Sequence, residues 1–240
     1  VRVNAASDSL DVLYEASGLR ILCAEGGAFS QNTLVALCTE TGQCVVVDPG
    51  GGIPDVMHWL TVQNLNPEAI WLTHAHLDHV EGIPLLRARW PDLPIWLHAL
   101  DRGFYQAAPQ QAQAFGLPFE GGPLPSPTHA LDGVEVVQVG NQRFQVRHAP
   151  GHAPGHVILV HAEKGVALVG DVIFAGSIGR TDLPLGDFAT LMDSIGREIL
   201  ALPDETLLIP GHGSSTTVGA ERRGNPFLVP QFGGPERGYA

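Results

Sequence analysis

Residues 72–82 read LTHAHLDHVEG and place His74, His76, Asp78 and His79 within six positions. A solvated, His-rich loop is the plain reading of such a run. Imidazole and carboxylate at this density also suit zinc or another first-row metal. One ion takes three or four protein ligands, so the cluster is crowded for a single ion and the rest of the chain has to decide. Just upstream, AIWLT (69–73) is a short apolar run predicted as a buried strand that delivers its end to His74. Further candidates follow predicted strands: His152 in HAPGHAPGHV, Asp171 after ALVG, and His212 after ETLLIPG. Strand ends are where a sheet holds site residues rigidly. A lone histidine after a strand is ordinarily structural, but three such signals beside the first cluster weaken that reading.

Working outward, GLRILCA (18–24), TLVALC (33–38) and QCVVVD (43–48) are predicted strands of a meander, the last two joined through the Thr41–Gly42 turn. PGGG then breaks the chain, and Val56, Trp59, Leu60 and Leu65 form a helical stripe. A helix is predicted from about His79 to Trp90, followed by the strand PIWLH. Residues 116–130, GLPFEGGPLPSPTHA, form a Pro/Gly-rich connector. Strands are predicted beyond it at 134–139, 142–148, 156–162, 165–170 and 205–210, with a helix over LGDFATLMDSIGREIL. Each half thus gives several strands, a helix and a strand, which suits two packed sheets with helices outside. Because candidate ligands come from both sides of the connector, residues 1–240 are expected to form one catalytic domain.

The 240 residues are 44% hydrophobic and 16% charged, which suits a packed core. A net charge of −12 argues against nucleic acid as a partner, since phosphate binding needs clustered Lys and Arg. No apolar run approaches the roughly 18 residues of a spanning helix, so no membrane association is expected. VRVNAASDSLDV at the start lacks a leader's apolar region, giving a cytoplasmic expectation. Cys23, Cys38 and Cys44 read as reduced core thiols, although Cys38 and Cys44 could face each other across a hairpin.

T-H-x-H-x-D-H, then G-H, G-D and P-G-H-G in that order resemble the metallo-β-lactamase superfamily over about residues 19–230. The resemblance implies a mixed α/β (α+β) fold, a four-layer αββα sandwich of two similar halves with the site at one edge. DPGGG, GDVIFAGSIGRTDLPLGD and PGHG…GAERRGNPF resemble, within it, the glyoxalase II (hydroxyacylglutathione hydrolase) type without its C-terminal helical domain. By that resemblance His74, His76 and His152 hold one divalent ion, Asp78, His79 and His212 hold another, and Asp171 bridges them. The ions would be zinc, with iron or manganese also compatible. Asp78 and Asp171 would have the catalytic role of holding and orienting a water, which two such ions acidify toward a pKa of about 7. The implied substrate is a small glutathione thioester such as S-D-lactoylglutathione, cleaved to D-lactate and glutathione in methylglyoxal detoxification. Arg180 is the candidate anchor for a glutathione carboxylate, with pairing to Asp182 as the competing reading, and Arg222 and Arg223 read as surface residues.

His148 and His156 are expected to serve the strand or to support a ligand, and His58, His98, His129 and His161 have no ligand context. Asp48, ending CVVVD, is expected to orient a ligand histidine. AGSIG (175–179) falls one residue short of a G-x-S-x-G nucleophile elbow and reads better as loop backbone. Departures from the glyoxalase II pattern are Ser214 in place of a usual tyrosine, Ala153 in place of threonine and Glu81 in place of glycine. Competing functions are a mononuclear iron persulfide dioxygenase using His74, His152 and Asp171, a hydrolase of other esters or lactones, and a non-catalytic metal-binding protein.

Overall fold

The computed structural model describes residues 10–119 and 122–229. Residues 1–9, which carry most of the leader expectation, residues 120 and 121 of the connector, and those after 229 lie outside that range. Four strands open the first sheet as an antiparallel meander: β1 (Asp11–Ala16), β2 (Leu19–Gly26), β3 (Gln31–Cys38) and β4 (Cys44–Val47). Helix α1 (Ile53–Val62) crosses over to β5 (Pro67–Trp71), which is therefore parallel to β4. Helices α2 (Leu77–Val80) and α3 (Ile83–Arg89) lead to β6 (Ile95–Leu97), and α4 (Arg102–Ala114) leads to β7 (His129–Ala130). The seven strands lie in chain order.

The second sheet repeats the plan. Strands β8 (Val136–Val139), β9 (Gln142–His148), β10 (Val157–His161) and β11 (Val166–Gly170) form a meander. A small hairpin follows, β12 (Ile173–Phe174) with β13 (Ser177–Ile178). Helix α5 (Phe188–Ser194) widens into a π turn at Ile195–Ile199 and returns the chain to β14 (Leu207–Pro210), parallel to β11. Strand β15 (Thr216–Thr217) and helix α6 (Val218–Gly224) complete it.

Strand alternation explains the layers. In β3, Leu34 and Ala36 point into the core between the sheets, while Val35 and Leu37 point out toward the helices. All eight residues of β3 are buried, as a central strand covered on both faces requires. Between the sheets, Trp71 meets Phe144 edge to face at 5.8 Å, and truncating such a buried ring to alanine costs about 3–5 kcal/mol. Val56, Leu60, Leu86 and Tyr105 cover the outer face of the first sheet; Leu191, Ile195 and Val218 cover the second. The result is the four-layer αββα sandwich.

Several elements depart from the sequence reading. The helix expected over 79–90 is two helices broken at Glu81–Gly82, because Pro84 cannot donate to Val80 and instead sits in the first turn of α3. Strand β1 and helix α4 were not anticipated; α4 buries only Tyr105, Ala108 and Ala112 and carries Pro109 inside it. Cys38 and Cys44 do not face each other: Cys44 pairs with Leu37, so Cys38 points to the opposite face. All three cysteines are free and buried. AGSIG forms the β12–β13 hairpin rather than the strand, turn and helix of a serine elbow. Among the described residues no helix is long and apolar enough to cross a membrane.

Candidate metal centre

The seven candidate ligands come together at the sheet edge where β5, β11 and β14 end. His74 follows β5, Asp171 follows β11 and His212 follows β14; Asp78 and His79 lie in α2, and His152 lies between β9 and β10. Nitrogen atoms of His74, His76 and His152 all lie within 4.8 Å of one another, and so do ligand atoms of Asp78, His79 and His212. Asp171 stands between the two trios. Its Oδ2 is 3.5 Å from His152 Nε2 and 3.4 Å from His212 Nε2, and its Oδ1 is 3.4 Å from His79 Nε2. His212 Nε2 also lies 3.1 Å from Asp78 Oδ2.

The outer nitrogens fix how the rings face. A carbonyl or carboxylate oxygen can only accept, so His152 Nδ1–H donates to Arg180 O at 2.8 Å, His212 Nδ1–H to Phe29 O at 3.0 Å and His79 Nδ1–H to Asp48 Oδ2 at 3.1 Å. Thr73 Oγ1 donates to Asp48 Oδ2 at 2.6 Å and so accepts from His74 Nδ1, 3.0 Å away. Four rings therefore turn Nε2 inward, the nitrogen that each would offer to a metal. His76 is the exception and presents Nδ1, 2.8 Å from His152 Nε2. Asp48 orients His79 as expected; its other oxygen takes the Thr73 N–H at 2.7 Å. It holds this position with φ of 48°, a left-handed backbone uncommon for a non-glycine residue.

Glycines give the site its closeness. Gly170 has φ of 48°, and a Cβ there would come within 2.5 Å of Thr73 Oγ1 and 2.7 Å of His156 Nε2. Gly211 has ordinary φ, and its need is space: a Cβ would collide with Asp171 Oδ1.

Charge is unevenly stored. Burial, together with the neighbouring rings, holds His74 well below the ordinary histidine value and His76 down to about 3. Burial opposes protonation of His79 too, yet Asp171 and Asp78 hold it well above that value. His212, against burial, is raised to about 10 by Asp171 and Asp78. Burial would raise the Asp171 carboxyl, but His79 and His212 keep it well below the usual carboxylate range.

The donor set fits metal ions. His74 Nε2, His79 Nε2 and Asp171 Oδ1 are buried and lack a hydrogen-bond partner, a deficit of about 1–3 kcal/mol each that a cation would remove. Nitrogen and carboxylate oxygen together suit zinc, iron or manganese. A third grouping, Asp48 with His74 and His79, shares two rings with these trios, and Asp48 is already engaged by Thr73 and His79.

The remaining candidates fall outside this centre. Arg180 is exposed, and its guanidinium makes a two-pronged pair with Asp182, both bonds 2.8 Å. Arg222 and Arg223 both reach Asp204. His148 bonds Pro154 O at 2.8 Å, His161 bonds Gln142 at 3.0 Å, and His129 stacks on Trp96. His156 Nε2 accepts the N–H of Asp171 at 3.0 Å, a supporting role. Sequence reasoning missed Thr73 and Asn32. Thr73 was visible in T-H-x-H only as a motif letter. Asn32 clips the His212 loop to β3, donating from Nδ2 to Pro210 O at 3.0 Å and Gly213 O at 2.9 Å, and no local pattern signals that.

Residues 26–212 match the Metallo-beta-lactamase superfamily. The hydroxyacylglutathione hydrolase GloC of Haemophilus influenzae is 40% identical over 202 residues, spanning 84% of this chain and 94% of that protein. Among solved structures, the B3 metallo-beta-lactamase BLEG-1 superposes with a TM-score of 0.79 at 35% identity, covering 87% of this chain and 99% of its own. TTHA1623, solved in a di-iron-bound form, gives a TM-score of 0.70 at 38% identity over 92% of this chain and 100% of its own. With fold, ligand geometry and sequence agreeing, the chain belongs to the metallo-β-lactamase superfamily of metal-dependent hydrolases.

Proposed function

We propose that this chain is a binuclear hydrolase of glutathione thioesters, S-D-lactoylglutathione among them, its two halves acting as one catalytic domain. The observation that carries the reading is Asp171, whose carboxylate reaches histidines of both trios, at 3.5 Å on one side and 3.4 Å on the other. His74, His76 and His152 would hold one divalent ion, and Asp78, His79 and His212 the other, with zinc the proposed metal. When bound, such a pair supplies a water that ionises near pH 7 and an electrophile for the acyl oxygen. The chain's own contribution is orientation. Asp78 and Asp171, kept ionised, accept hydrogen bonds from the attacking water and aim it. Thr73, Asp48 and the Arg180 and Phe29 carbonyls keep the rings from turning.

A thioester suits a site that offers modest proton donation, because its leaving thiol has a pKa near 8.5 and departs as thiolate. The Haemophilus relative's name supports a glutathione thioester. Arg180 is the proposed anchor for a glutathione carboxylate. Its pair with Asp182 is solvent-exposed and screened by water, so a substrate carboxylate can exchange for it. The mononuclear iron alternative is less well supported, since His212 lies 3.1 Å from Asp78 and so offers a second trio.

The test is elemental analysis of the purified chain beside kinetics on S-D-lactoylglutathione, a lactone and a β-lactam, with oxygen uptake measured on glutathione persulfide. Two metals per chain and preferential thioester hydrolysis are expected. One iron per chain with oxygen consumption would replace this reading with the dioxygenase, and preferential β-lactam turnover would replace it with a lactamase.

A further inference from the structure

Asp101 stands at the N-cap of α4, where an aspartate ordinarily bonds a free N–H of the first turn and contributes about 0.5–2 kcal/mol. Here the carboxylate makes no capping bond. Fully buried, it turns away from its helix and accepts two backbone N–H groups: Ala75 at 3.1 Å on Oδ2 and Gly155 at 2.6 Å on Oδ1. Ala75 lies between His74 and His76. Gly155 lies three residues beyond His152, next to His156, whose ring receives the N–H of Asp171. One carboxylate thus fastens a ligand loop of the first half to a ligand loop of the second. The contact is close enough to dictate the residue opposite, since a Cβ on Gly155 would come within 2.8 Å of Asp101 Oδ1 and 2.9 Å of its backbone nitrogen. Burial pushes the Asp101 carboxyl up to about 6 against the pull of the Gly155 and Ala75 N–H groups. It is therefore ionised at neutral pH, and both bonds are charge-assisted.

We infer that Asp101 is a positioning residue for the metal centre: by tying Ala75 to Gly155 it sets the spacing between the His74–His76 pair and His152. The inference rests on the metal-binding reading of that trio. Partners that hold a ligand in place typically affect metal affinity by about 10–100-fold, and Asp101 acts on three ligands through two bonds.

The experiment uses the full chain stripped by chelator and titrated with Co²⁺, following the visible d–d bands and the dissociation constants, with thermal unfolding in chelator as the control. Asp101→Asn keeps the shape but sets an amide N–H₂ against a backbone N–H. Gly155→Ala displaces the carboxylate while leaving it charged. Both variants are expected to fold, to bind one of two Co²⁺ equivalents about 10–100-fold more weakly than wild type, and to shift its d–d band. Wild-type affinity and spectrum in a folded Asp101→Asn chain would overturn the role, as would failure of both variants to fold without metal, which would make the carboxylate part of the fold alone. A wild-type chain that takes up no Co²⁺ would overturn the metal reading and this role with it.

Discussion

Five imidazoles crowd one sheet edge, and what separates them from the other histidines is where their second nitrogen goes. His76 turns Nδ1 toward His152 at 2.8 Å, so His76→Ala removes a ligand atom from the first trio. We expect it to bind one metal fewer and to lose at least 100-fold in kcat/KM; full activity with unchanged metal content would disprove the assignment. His161, buried at the opposite ends of β10 and β11, bonds Gln142 Oε1 and meets the Phe144 ring edge to face. His161→Ala should leave kcat and metal content alone while lowering stability by about 1–3 kcal/mol, because Gln142 loses its partner; denaturant titration beside kinetics checks both. Arg180 divides its work between side chain and backbone. Arg180→Ala frees Asp182 but keeps the carbonyl that holds His152. It should therefore raise KM for S-D-lactoylglutathione about tenfold with kcat within twofold, and a loss confined to kcat would refute anchoring. The seven ligand candidates were legible because histidine and aspartate spaced this closely announce their own chemistry. Asp101, Thr73 and Asn32 were not, because they act through backbone groups that only the folded chain brings near.

The elements were legible where composition is extreme. Strands such as β3, β4 and β11 are short apolar runs bounded by Gly, Pro and polar turns, and each falls close to its expected range. Helix α4 escaped because alanine and glutamine carry most of it, leaving too narrow an apolar stripe to read. The short hairpin β12–β13 escaped because its hold is remote. Asn225 Nδ2 donates to Ser177 O at 2.9 Å and to Glu221 Oε2 at 2.7 Å, and Glu221 takes the Gly176 N–H at 2.9 Å. That anchorage stands just before Arg180, so the NPF segment supports the loop that carries the proposed anchor. Asn225→Ala should speed amide exchange across residues 176–180 and raise KM more than it lowers kcat. Exchange as slow as in wild type would mean that the hairpin is held by its own pairing.

For the molecule as a whole, the fold was readable from its doubled pattern of meander, helix and parallel strand, whereas which apolar faces meet was set only by packing. Protons bear on its stability in a definite direction. Without metal, His79 is held well above the ordinary histidine value of 6.5 and His212 up to about 10. A raised histidine stabilises the fold fully below its unfolded value and loses that contribution as pH climbs through the folded one. Chelated protein should therefore lose Tm between pH 6.5 and about 10, and His212→Gln should flatten the decline. Metal ions displace those protons, so the loaded protein should show a shallower slope. Calorimetry across that range checks it, and a level profile for the chelated wild type would contradict the proton storage.

Each trio draws on both sides of the connector: His74 and His76 meet His152, and Asp78 and His79 meet His212. Neither half alone can close such a ring of donors, and the contacts between them join residues more than seventy positions apart. Long-range docking of this kind is the slow part of folding. Ion uptake during renaturation should thus lag behind strand and helix formation, serving as a stopwatch for the moment the two sheets seal.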